Sequence, residues 1–422
     1  MNAPSVLLFF LAAVLLLIMV RKESDVLSPG KVFGFIWLYA LGLTNLKLSA
    51  FQSEWSFTNW AQVLIGPAAF LTGVLASYVA YVRTPILSVH EIRRSWSAGG
   101  ISPDRLFVAV CILFAFYAVG YAVIFAVRGF LPILSLAGAA HRGDFSMFGL
   151  GVSLASMPAV VLFAVLSFIM SKGRPLRKFV LIVILGVSLS TFLLLLQRFQ
   201  IFMACIATAT VLYYATRYVR LRTVLVALVM TVTIFYGVSR LRAGDLVTQI
   251  IYSSSKMKIS RDYAIFTEPY MYVVMNLENL ARATDQVESY TFGLYTFDFL
   301  TSLTGLKHWV REYLALDDTP FLVSVYNTYT AFWTYYRDFG LAGILVIPLG
   351  GGFGIGTLYY QMRKRPTIEN ISWYALFVFV MFISFFNSPM SLLFFVWVVF
   401  VMAVVFPMIR TSSRHHTPPV QV

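Results

Sequence analysis

The sequence predicts an all-α polytopic membrane protein, with about eleven transmembrane helices and one large outward loop that carries amphipathic, interfacial helices. Three observations predict it. Of 422 residues, 59% are hydrophobic and only 12% are charged, against roughly 25% charged in a soluble domain. Apolar runs of about 20 residues, the length that crosses the hydrocarbon core, recur along the chain. Stretches such as 6–20 and 179–196 are continuously apolar, which excludes the alternating pattern of barrel strands. Soluble enzymes, DNA-binding domains and secreted disulfide scaffolds are therefore ruled out, and nucleic acid is not an expected partner.

The eleven runs lie at 4–20, 30–48, 59–82, 105–127, 149–170, 179–196, 201–216, 223–239, 340–361, 372–388 and 390–409. No positive charge precedes the first run, and Arg21 and Lys22 follow it. This is a reversed anchor that stays in the mature chain, not a cleaved signal. Lys and Arg crowd one set of short loops: Arg21, Lys22 and Lys31, then Arg83 to Arg105, Lys172 to Lys178, Arg217 to Arg222, Arg363 to Arg365, and Arg410 with Arg414. The whole net charge of +14 falls on that face, which is thereby assigned to the cytoplasm. The N-terminus is expected outside and the C-terminus inside. The organisation follows: spans one to eight in 1–239, the outward loop in 240–339, spans nine to eleven in 340–409, and a cytoplasmic tail in 410–422. Cys111 and Cys205 sit in apolar runs without metal-ligand spacing.

The hundred-residue loop is the place for function, because structureless loops beyond about 12–15 residues are uncommon. Within 261–285 the apolar residues recur at helical spacing: Tyr263, Phe266, Tyr270, Val273, Val274, Leu277, Leu280 and Ala281. The spacing predicts an amphipathic helix packed on the bundle or lying at the interface. A second apolar stretch covers 294–303. A third, 323–339, is rich in Tyr, Trp and Phe and reads as an interfacial or re-entrant helix leading into the ninth span.

Charge marks the outer ends of the spans. Arg142 follows the fourth, Arg198 sits at the turn Gln197-Arg198-Phe199-Gln200, Arg240 and Arg242 end the eighth, and Arg337 precedes the ninth. Intramembrane arginine is costly and marks function by default, and its planar fork suits phosphate. Each one taken singly also fits a snorkelling anchor. The run Gly350-Gly351-Gly352 with Gly354 and Gly356 lies inside the ninth span, where small residues let helices approach. No metal-binding motif or nucleotide loop occurs, and no cofactor is expected.

Several of these segments carry a family resemblance. They include Leu27-Ser28-Pro29, Ala139-Ala140-His141-Arg142-Gly143, Gln197-Arg198-Phe199, Ser239-Arg240, Glu268-Pro269-Tyr270, Asn276-Leu277-Glu278-Asn279, Gly293-Leu294-Tyr295-Thr296, Tyr326-Asn327-Thr328-Tyr329 and Tyr336-Arg337-Asp338-Phe339-Gly340. Together they resemble the bacterial oligosaccharide repeat-unit polymerases, the Wzy type of O-antigen and exopolysaccharide polymerase. The family commonly has a small residue where Gln197 stands.

The resemblance implies a metal-independent glycosyltransferase of the bacterial inner membrane, with undecaprenyl diphosphate as leaving group. The growing glycan would pass to an incoming lipid-linked repeat at the periplasmic face. Arg142, Arg198, Arg240, Arg242 and Arg337 would hold the diphosphates, and Glu268, His308 or Asp338 would take the acceptor proton. Tyr326, Asn327, Tyr329, Trp333 and Tyr336 would hold glycan. The expected partners are undecaprenyl-diphosphate-linked oligosaccharides, membrane lipid and a chain-length-determinant protein. Bland roles stay open for each base and aromatic: a local cap for Glu268, solvation for His308, an ion pair for Asp338, an interfacial belt for the tyrosines. The alternatives in function are an O-antigen ligase, a lipid-linked-sugar glycosyltransferase and a lipid-linked oligosaccharide flippase. The first outward loop, 49–58, has Glu54 but no acidic pair, which counts against the second. No internal repeat favours the third.

The orientation is directly testable. A topology reporter fused at Asp285 is expected to read as external and one at Ser95 as internal; the opposite pattern would invert the assignment.

Overall fold

The structure, a computed structural model, describes residues 3–21, 24–134, 144–147, 149–216, 248–287, 289–304, 306, 326 and 328–411. It is mostly helical, with no strand among the described residues. In chain order the helices are α1 (Ala3–Val20), α2 (Pro29–Thr44), α3 (Phe57–Tyr81), α4 (Val89–Ser95), α5 (Pro103–Arg128), α6 (Gly151–Ala155), α7 (Met157–Met170), α8 (Pro175–Leu193) and α9 (Arg198–Ala215). They continue with α10 (Thr267–Ala283), α11 (Asp298–Thr304), α12 (Ala331–Lys364), α13 (Ile368–Ile383) and α14 (Leu393–Ile409).

Local chemistry sets several boundaries. Ser56 and Asn59 form a capping box at the start of α3, which satisfies two orphan amides. Ser102 caps α5, and Gly129, at φ 69°, closes it in the left-handed region. Among the described residues, six helical stretches are long and apolar enough to cross a membrane: Phe57–Tyr81, Pro103–Leu134, Gly151–Met170, Pro175–Leu193, Arg198–Ala215 and Ala331–Lys364. The expected eleven spans are not reached by length. α2 stops at Thr44 and α13 at Ile383. A 3₁₀ turn at Pro389–Ser391 delays α14 to Leu393. Helices of 16 or 17 residues reach only about 25 Å, short of a core of about 30 Å. The expected span at 223–239 lies outside the described residues.

Two compact units interleave along the chain. The first comprises Met1–His90, Val219–Lys364 and Leu376–Leu393. Its axis is the pair α3 and α12, the most extensively packed helices in the unit. Gly73 lies so close to α12 that a Cβ there would overlap the Leu349 carbonyl, and a Cβ at Gly352 would overlap the Phe70 carbonyl. The backbones therefore meet with no side chain between them. At one end Gly66 leaves room for the Phe332 ring, 2.7 Å from where its Cβ would stand. Gly350, Gly351 and Gly354 face open space instead, so only part of the glycine run serves this contact. Phe33 stacks on Phe70 at 4.0 Å, and Trp37 Nε1 donates to Ser384 Oγ at 2.9 Å.

In the second unit α7 is the core. Met157, Ala159, Val160, Phe163 and Ala164 are all fully buried, with α5, α8 and α9 packed around them. A helix that is apolar on all sides needs such enclosure or lipid. Trp397 Nε1 donates to Ser156 Oγ at 2.7 Å, and Tyr117 bonds Thr191 at 2.8 Å.

The close contact gives a sharp contrast. Gly352→Val is expected to lower stability in detergent by about 1–3 kcal/mol through overpacking. Gly351→Val is expected to change it by less than about 1 kcal/mol. Equal losses in denaturant unfolding would contradict the backbone contact.

Candidate functional site

The first unit gathers most of the described site residues. Its organiser is α10, which forms where the apolar spacing expects a helix, flanked by 3₁₀ turns at Arg261–Phe266 and Thr284–Gln286. The helix packs on α2 and α3. Met271, Val274, Met275, Leu277 and Leu280 are buried, but so are Asn276, Glu278 and Asn279. Buried polar groups need partners, and each of these finds them at a distance in sequence. Glu278 forms an ion pair with Lys47 and accepts from Trp55 Nε1 at 3.0 Å. Asn279 Nδ2 donates to the carbonyls of Tyr326 and Thr328, both at 2.9 Å, and Asn276 Oδ1 accepts from the Thr328 hydroxyl. One helix thus fixes both the 45–58 turn and the segment entering α12.

Lys47 is held at φ 53° and lies 4.5 Å over the Trp55 ring. Burial pushes its amine below the usual lysine range, against the opposing pull of Glu278. Tyr270 donates to Gln52 Oε1 at 2.7 Å and accepts from Leu48 N–H at 3.1 Å. Burial raises its hydroxyl to about 12.

From the entry segment an aromatic ladder runs into α12. Tyr329 and Trp333 stack at 4.3 Å and 14°, and Trp333 and Tyr336 at 6.4 Å and 24°. Residues spaced by four and three share a helical face. Tyr290 meets Tyr336 edge-on at 6.4 Å. Trp333 is only 4% exposed, and its Nε1 has no hydrogen-bond partner among the described residues. Such a donor costs about 1–3 kcal/mol when unsatisfied, so it marks a place for an acceptor oxygen. Burial raises the Tyr329 hydroxyl.

Beside the ladder, Arg337 is 8% exposed, donates to the Ser289 carbonyl, and lies 5.9 Å from the Tyr295 ring. Asp338 is fully buried. It accepts from Thr291 Oγ1 at 2.5 Å, Tyr295 N–H at 3.1 Å and Thr296 N–H at 2.5 Å. Three donors on one buried carboxylate make Asp338 an anchor for the 291–296 turn. The same contacts hold the carboxylate in place beside Arg337. Gly340 follows at φ 61° and ψ −148°, where a Cβ would stand 2.7 Å from Tyr290. This geometry is essentially glycine-only. The expected helix over 323–339 is therefore shorter, beginning at Ala331 and ending at this break.

Other candidates separate from the ladder. Tyr326 packs into a core with Tyr270, Met271, Val274 and Met275 and bonds Ser255 Oγ at 3.0 Å. Burial raises its hydroxyl to about 12, with the Glu268 carboxylate adding a smaller push. Glu268 lies half-buried in the first turn of α10, where the helix dipole favours an acid. Arg198 belongs to the second unit and opens α9, two residues after Leu196 at φ 57°. Arg142, Arg240, Arg242, His308 and Asn327 lie outside the described residues. Among the described residues no group of three or more His, Cys, Asp or Glu side chains is placed to hold a metal ion.

Sequence reasoning passed over Lys47, Trp55, Tyr290 and Thr291 as site residues. The readable signal was the polar trio Asn276, Glu278 and Asn279 inside an apolar helix. No family model, curated protein or solved structure matches the chain.

Breaking the buried pair by Lys47→Met or Glu278→Leu alone is expected to cost about 3–5 kcal/mol, and the double substitution to recover most of it. A double-mutant cycle on thermal unfolding measures this; strictly additive losses would mean the two side chains are not coupled.

Proposed function

We propose that the chain polymerises undecaprenyl-diphosphate-linked oligosaccharide repeat units at the periplasmic face of a bacterial inner membrane, as a metal-independent glycosyltransferase. The observation that carries the reading is the ladder Tyr329–Trp333–Tyr336 beside Arg337, held together by α10 and the 291–296 turn. Aromatic faces suit sugar rings, and a guanidinium suits a departing diphosphate. Both lie in segments that carry the family resemblance. In this reading the eleven-span topology holds, with the N-terminus periplasmic and the C-terminus cytoplasmic.

In the reaction, the bond from the donor's anomeric carbon to the diphosphate oxygen breaks, and the electron pair leaves with the diphosphate. Arg337, with Arg142, Arg198, Arg240 and Arg242 as further candidates, neutralises that charge. The acceptor hydroxyl forms the new bond, and its proton passes to Glu268, His308 or Asp338. Tyr329, Trp333 and Tyr336 position the glycan, with Trp333 Nε1 donating to a sugar oxygen. A chain-length-determinant protein is the expected partner. A ligase would use the same donor chemistry with a different acceptor.

Deleting the gene is expected to leave single complete repeats on undecaprenyl diphosphate and to abolish long polymer. Arg337→Ala is expected to lower polymer formation about 100-fold or more, with protein still present in the membrane. Intact polymer retained on the lipid carrier after deletion would indicate a ligase, and repeats trapped on the inner leaflet a flippase. Normal polymer length in both Arg337→Ala and Trp333→Ala would remove this site from the reaction.

A further inference from the structure

A groove of about 410 Å³ lies apart from the ladder, lined by Pro4, Leu7 and Leu8 of α1, Asn45 at the end of α2, Glu54 of the following turn, and Trp60 of α3. Its lining is apolar apart from Asn45 and Glu54, and its volume is at the small end for ligand sites. Asn45 is only 5% exposed, and its Nδ2 makes no hydrogen bond among the described residues. An unpartnered amide donor buried just behind a cavity wall calls for an acceptor oxygen. Glu54 is exposed and forms no salt bridge among the described residues; Lys47, whose charge it also favours, is paired with Glu278, and Arg282 donates to the neighbouring Ser53 hydroxyl. The groove therefore offers one donor, one negative charge and an apolar wall.

We propose that this groove binds one chain and the headgroup of an amine-bearing phospholipid, with its ammonium on Glu54 and a phosphate or ester oxygen on the Asn45 amide. The apolar wall supports a lipid over a soluble ligand: Leu7 in the lining is 58% exposed. Trp60 occupies the wall as tryptophan does at headgroup level. Glu54 selects against purely anionic headgroups, which separates this site from one for a lipid diphosphate.

The site has a structural reach. Trp60 meets Trp55 edge-on at 4.8 Å, and Trp55 donates to Glu278. A bound lipid braces the aromatic wall that shields the Lys47–Glu278 pair.

Full-length protein in mild detergent, stripped of lipid, is titrated with phosphatidylethanolamine or phosphatidylglycerol and followed by native mass spectrometry and thermal unfolding. Phosphatidylethanolamine is expected to add one retained molecule and raise the unfolding temperature, with phosphatidylglycerol binding about tenfold more weakly. Glu54→Gln is expected to erase that preference. Asn45→Leu is expected to weaken phosphatidylethanolamine about tenfold. Leu8→Trp, which fills the groove and leaves both polar groups, is expected to abolish the retained molecule; it carries the test if Asn45→Leu fails to fold. Equal binding of the two lipids by the unsubstituted protein, or undiminished binding by Leu8→Trp, would overturn the proposal.

Discussion

Backbone meets backbone where α3 crosses α12, and the geometry of the first unit follows from that contact. Gly73 faces the Leu349 carbonyl and Gly352 the Phe70 carbonyl, with no room for a Cβ on either. In lipid there is no hydrophobic gain from bringing two apolar helices together, so close packing itself must hold them. The same approach seats Phe332 against Gly66, where the ring also contacts Trp37 at 5.0 Å. Phe332 lies one residue before Trp333. The foot of the aromatic ladder therefore packs directly on α3 and α2.

A second constraint is polar. α10 buries a carboxylate and two amides against the bundle, and every one has a partner. A buried ion pair is weak evidence for stability, because desolvation offsets much of the attraction. Its value here is register. Lys47, Trp55, Tyr326 and Thr328 come from different parts of the sequence, and only one placement of α10 satisfies all of them. An apolar helix of the same shape would lack that specification.

The membrane class, α10 and the small-residue contact of the ninth span were readable, because each rests on local periodicity or composition. The pairings were not. Lys47 and Glu278 are 231 positions apart, and nothing near either residue names the other. Asp338 stands next to Arg337, which suggests a local ion pair; its three donors come from 291–296, more than forty positions earlier. Tyr326 stands in sequence with Tyr329 and Trp333, and the structure packs it against the α10 core. In the glycine run, helical phase decides which positions meet α3, and Gly352 and Gly356 do while Gly350, Gly351 and Gly354 do not. Hydropathy and helix length also differ: apolar runs continue through turns such as Pro389–Ser391 that end a helix without ending the hydropathy.

The break at Gly340 separates two jobs within one continuous apolar stretch. Beyond it, α12 is a membrane-crossing candidate locked to α3 by glycine. Before it, 331–339 is a short helix whose position is set by Asn279 at its entry and by Asp338 on the 291–296 turn. The left-handed backbone and the close Tyr290 ring leave no room for a side chain at the junction. A rigid, uninterrupted helix would tie the ladder and Arg337 to the tilt of the span. With the break, their placement answers to α10 and the turn instead. Asn279 and Asp338, through their contacts to backbone and turn, therefore govern how the ladder and the guanidinium are presented.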